Sequence, residues 1–72
     1  MKTKTEKDFG FEYAEWMHNE EKLSETVDVD EMCNSSNDIP DSDYSAMVNA
    51  GIENPSARKY WMGYNEYMET LA

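Results

Sequence analysis

The carboxylates are the residues of this chain whose number and spacing could do chemistry. Of its 72 residues, 16 are Asp or Glu, 6 are Lys or Arg, and the formal net charge is −10. Asp28-x-Asp30 and Asp41-x-Asp43-x-Ser45 each open like a calcium loop. Such a loop needs glycine at its sixth position and glutamate at its twelfth. Counted from Asp41 those places hold Ala46 and Ile52, and from Asp28 they hold Cys33 and Ile39. No calcium site is therefore expected. Structural zinc wants four nitrogen or sulfur ligands, and the only Cys and His are Cys33 and His18. Paired carboxylates for hydrolysis need a pocket that no feature of the sequence suggests. The expectation is a protein without catalytic residues, metal or cofactor.

Carboxylates can also stand in for phosphates. Between Asp8 and Ala57 there are thirteen acidic residues and one basic residue, Lys22. A folded chain of this length is roughly 29 Å across, so ten net charges amount to about one per 3 Å. One DNA strand carries one charge per about 3.4 Å of axis. Glu12 with Glu15, Glu21 with Glu25, and Glu25 with Asp28 fall at helical offsets of three or four, which place Cβ atoms about 5–6 Å apart. A surface serving solubility alone would usually intersperse lysines. The expected partner-binding carboxylates are Glu20, Glu21, Glu25, Asp28, Asp30, Glu31, Asp38, Asp41 and Asp43.

The same charge excludes other classes. Phosphate contacts need Lys and Arg, so direct nucleic-acid binding and polybasic membrane binding are excluded. Arg58-Lys59-Tyr60-Trp61 looks locally like a base-stacking run, but Tyr60 and Trp61 fall on a core stripe. No apolar run exceeds three residues, so no membrane span is expected, and no signal peptide is visible. The lone cysteine rules out a disulfide scaffold and fits a reducing cytoplasm.

The elements that must position these groups read as helices, in one domain with a loose arm over about residues 1–6. Two Trp, five Tyr and two Phe are too many for a solvated tail. A helix is expected over about Glu6 to Leu23, with Thr5 and Asp8 as a capping pair and Phe9, Tyr13, Trp16 and Met17 as its stripe. Between Ser24 and Cys33 the signals mix. The alternation from Thr26 to Asp30 allows a strand, but an isolated strand lacks a partner, so a short helix capped by Ser24 is preferred. Asn34 to Pro40 reads as loop. Asp41 or Ser42 should cap a helix carrying Tyr44, Met47 and Val48, closed by Gly51. Asn54 should cap a last helix with Pro55 at its first position. There Ala57, Tyr60, Trp61, Tyr64, Met68 and Leu71 give the strongest period in the chain. The fold class is all-α, a small bundle of three to four short helices, with Trp16 and Trp61 near its centre.

A very short, strongly acidic chain of this kind resembles, in character, the DNA-mimic antirestriction and anti-CRISPR inhibitors of phages and mobile elements. That resemblance implies occlusion of a basic nucleic-acid-binding surface on a host defence or nucleic-acid-processing protein. Asn54-Pro55 with Arg58, Trp61, Gly63, Tyr64 and Met68 loosely resembles the end of ribosome modulation factor and its small phage relatives. Those proteins are basic and their glycine–aromatic spacing differs by a residue, so no functional residue is carried over. The alternative expectation is an adaptor that docks through exposed Phe11, Met62 and Tyr67, against a partner or a second copy of itself.

Overall fold

The computed structural model describes residues 4–33 and 39–71, and over them the protein is all-α, a small bundle of four helices with no strand. α1 spans Glu6–Glu21, α2 Val29–Cys33, α3 Asp41–Asn49 and α4 Ala57–Thr70. The body measures 32 × 31 × 17 Å with a radius of gyration of 11.7 Å. The expected loop from Asn34 to Pro40 and the carboxylate Asp38 fall mostly or wholly outside the described residues.

α1 starts where its capping pair predicts. The Thr5 N–H donates to Asp8 Oδ2 at 2.9 Å, and the Asp8 N–H donates back to Thr5 Oγ1 at 3.3 Å, so two orphan amides of the first turn are satisfied. It stops two residues earlier than expected, because Lys22 takes the left-handed conformation (φ 60°) and its N–H returns to the His18 carbonyl at 2.9 Å. His18 Nδ1 lies 2.9 Å from the Leu23 carbonyl and closes the same end.

The ambiguous segment resolves in two parts, and Ser24 caps nothing. Residues 22–28 are not helical. The side chain of Asn65 on α4 does for Val27 what a neighbouring strand would do. The Val27 N–H donates to Asn65 Oδ1 at 2.8 Å, and Asn65 Nδ2 donates to the Val27 carbonyl at 2.9 Å. A helix follows only from Val29, where Asp28 Oδ1 accepts from the N–H groups of Asp30 and Glu31 at 3.0 and 3.3 Å.

Two other expected caps are displaced. Pro40 precedes α3 without a side-chain bond, and Asp41 is already its first helical residue. Ser56 caps α4, its side chain accepting from the Lys59 N–H at 3.3 Å. Asn54 lies two residues before that cap with φ 51°, so it and Pro55 shape the entry rather than start the helix. Gly51 does close α3, at φ 95°. Its N–H bonds the Val48 carbonyl and that of Ile52 bonds the Met47 carbonyl, both at 3.0 Å, the pair of bonds that defines a Schellman ending.

The core consists of Phe9, Ala14, Ile39, Met47, Tyr60, Trp61, Tyr64 and Met68. α1 crosses α4 through backbone rather than long side chains. A Cβ on Gly10 would lie 1.8 Å from the Tyr60 carbonyl oxygen, and one on Gly63 would lie 2.1 Å from that of Lys7. With Gly10 and fully buried Ala14 in this contact, Trp16 cannot share it, since two residues are 200° of helix. Trp16 is accordingly 53% exposed, not central, whereas Trp61 is 5% exposed. On α3 only Met47 is buried, and Tyr44 and Val48 face outward.

Candidate functional site

The expected carboxylates divide into two sets. Three have partners within the chain: one caps a helix, one makes a surface ion pair, and one accepts from a buried hydroxyl. Asp28 caps α2, as described. Asp30 Oδ1 accepts from Arg58 Nη2 at 2.6 Å, tying α2 to α4, and this hydrogen bond raises the Arg58 pKa. Asp43 Oδ2 accepts from the Tyr60 hydroxyl at 2.5 Å. The other set, Glu20, Glu21, Glu25, Glu31 and Asp41, is exposed, and their carboxylates make no hydrogen bond or ion pair among the described residues. Glu15, Glu53 and Glu69 join it on the same grounds. Charged pairs elsewhere, Lys4–Glu12 at 2.8 Å and Lys7–Glu66 at 3.0 Å, lie on the surface, where ion pairs contribute little.

Two free carboxylates sit where they oppose the fold. Glu20 and Glu21 end α1, whose last turn holds His18 and whose C-cap Lys22 sets its ammonium 3.5 Å from the Asn19 carbonyl. A helix C-terminus carries partial negative charge, so anions there are destabilising by about 0.3–1 kcal/mol each.

Asp43 has a structural part to play. Tyr60 is fully buried, and its hydroxyl needs an acceptor. Asp43→Ala is expected to cost about 1–3 kcal/mol by leaving that hydroxyl unpaired. Asp43→Asn, which keeps an acceptor, should cost clearly less. Urea unfolding of the two variants checks this, and equal losses would assign Asp43 no such part.

The phenols around Asp43 are shifted together. Burial, then the Asp43 hydrogen bond and charge, push the Tyr60 pKa far above the ordinary phenol range. Burial and Asp43 raise Tyr13, and burial and Tyr13 raise Tyr64. Groups with raised folded values lend stability that is complete below the unfolded value of about 10 and is lost as pH rises past it. Stability should therefore be unaffected by these phenols up to about pH 9. Above pH 10 it should fall by about 1.4 kcal/mol per pH unit for Tyr60 alone. Urea midpoints between pH 8 and 11 test this, and a flat profile would contradict it.

The aromatic alternatives are partly gathered. Phe11 and Tyr67 meet edge-to-face with centroids 5.1 Å apart, and Phe11 stays exposed. Met62 is exposed too, but five residues before Tyr67 on α4 it points about 140° away. A site absent from the expectations is a groove of about 380 Å³ between α1 and the start of α3, with Phe9, Glu12, Tyr13, Trp16 and Asp43 in its lining. Its only sequence signal is the angle between Ala14 and Trp16.

Among the described residues no group of three or more His, Cys, Asp or Glu could hold a metal ion, and no helix is long and apolar enough to cross a membrane. Comparison with protein-family models, with curated proteins and with solved structures found no match for the chain.

Proposed function

We propose that this protein is a binding inhibitor without chemistry of its own, which presents carboxylates to a basic nucleic-acid-binding surface of another protein and so occludes it. The observation that carries this reading is the placement of Glu20 and Glu21 at the C-terminus of α1, where charge works against the helix that bears it. Lys22 at the C-cap, with its ammonium 3.5 Å from the Asn19 carbonyl, offsets part of this charge, yet helix stability gives no reason for carboxylates at both preceding positions. The slab is 32 Å long and bears ten net negative charges, close to the charge density of one DNA strand. Glu20, Glu21, Glu25, Glu31 and Asp41 are the contacts, each facing an Arg or Lys of the partner.

The test is competition. A partner held on the immobilised protein should be released by duplex DNA or RNA. Its affinity should also fall at least about tenfold between roughly 50 and 200 mM salt. A partner that duplex cannot displace and whose affinity ignores salt refutes the reading. In that case Phe11, exposed beside a Tyr67 that is half-buried against the core rather than exposed as expected, is the next surface to test, with Phe11→Ala as the variant that should release the partner.

A further inference from the structure

The geometry points to the groove between α1 and α3 as a receptor for a single arginine or lysine side chain of the partner. In the free protein Lys4 occupies this place. The inference rests on the inhibitor reading above and locates one defined anchor within it. The groove already holds a cation of its own chain. Lys4 Nζ lies 2.8 Å from Glu12 Oε1 and 4.2 Å from the centroid of the Phe9 ring. One ammonium thus receives a carboxylate and an aromatic face together, the two partners that bind cations most directly. Farther along, Tyr13 and Trp16 stack with centroids 6.1 Å apart and planes 20° from parallel. The indole leaves more than half its surface in water, on a chain whose other tryptophan is buried. Asp43 stands on the opposite wall.

Charge decides the occupant. An apolar side chain that displaced Lys4 would leave the Glu12 carboxylate covered and without a cation, while Asp43 keeps only the Tyr60 hydroxyl. A guanidinium would satisfy a carboxylate and stack flat on the indole, which a planar cation does better than an ammonium. The occupant is therefore basic, with arginine preferred over lysine. Lys4 competes with it, so the groove's apparent affinity is reduced by the fraction of time that Lys4 is bound.

Tetra-arginine amide is the probe, titrated into the isotopically labelled full chain at low salt. The Trp16 indole N–H signal should move and the Trp61 indole signal should stay. Trp16→Ala should weaken binding by about tenfold. Lys4→Ala should tighten it several-fold, and Lys59→Ala, which removes the same charge from an exposed position outside the groove, should change it less than about twofold. Shifts confined to residues near Glu20, Glu21, Glu25 and Glu31 overturn the groove and leave the acidic inhibitor standing. Equal tightening by Lys4→Ala and Lys59→Ala does the same. Absence of any binding at low salt overturns both. The wild-type indole signals keep the test decisive if Trp16→Ala disturbs folding.

Discussion

Replacing Gly10 with alanine should leave the chain largely unfolded at room temperature. Helix propensity alone predicts the reverse, a gain of about 1 kcal/mol from removing a glycine inside a helix. The packing term opposes it. The new Cβ would lie 1.8 Å from a carbonyl oxygen of α4, and the obstructing atom is backbone, with no rotamer to yield. Ordinary overpacking costs about 1–3 kcal/mol, and this overlap belongs at or beyond the top of that range. A domain of this size has roughly 3–5 kcal/mol in total. Gly63→Ala should behave alike, since its Cβ would meet the Lys7 backbone at 2.1 Å. Gly51→Ala is the control. Nothing lies within 4 Å of its Cβ, so only the left-handed backbone resists, at about 1–2 kcal/mol. Far-ultraviolet circular dichroism with urea titration separates the three. A Gly10→Ala protein as stable as the parent would disprove the close crossing of α1 and α4.

The second large effect pits stability against binding. Glu20→Gln with Glu21→Gln should stabilise the fold by about 0.3–1 kcal/mol per residue, because each change relieves the α1 C-terminus. The same pair, combined with Glu25→Gln and Glu31→Gln, should slow association with the basic partner by about tenfold or more at low salt. The difference should shrink as salt rises. Asp28 and Asp30 are unsuited to this experiment, because neutralising them removes the α2 cap and the Arg58 bond as well. Urea midpoints and association rates measured on one variant give both readings. Unchanged association would show that these carboxylates do not meet the partner.

Much of the fold was legible where local chemistry decided it. Thr5 with Asp8, Gly51, and the period from Ala57 to Met68 are set by near neighbours and lie where their spacing predicts, although Leu71, the last residue of that expected stripe, is exposed past the helix end. The misplaced elements depend on groups far away in sequence. Residues 22–28 stay out of a helix, and Asn65, 38 positions beyond Val27, supplies partners for the Val27 backbone. Trp16 faces outward because Gly10 and Ala14 claim the contact with α4, and glycine on its own reads as a weak point in a helix. The candidate surface divided similarly. Exposure of Glu20 and Glu21 follows from their place at a helix end. The engagement of Asp43 requires knowing that Tyr60 is buried beneath it.

The pairing of α1 with α4 also governs how the chain must fold. Gly10 meets the Tyr60 carbonyl, fifty residues away, so the central contact closes a loop that contains most of the molecule. Helical bundles usually fold fast because their contacts are local. This one should fold slowly for its class, since closure entropy comes before any central burial is gained. On the ribosome, α1 lacks its principal packing partner until α4 has emerged, with only the edge of α3 to meet before then. Until then the nascent chain exposes Phe9 and Ala14, and its own negative charge is what holds it apart from its neighbours.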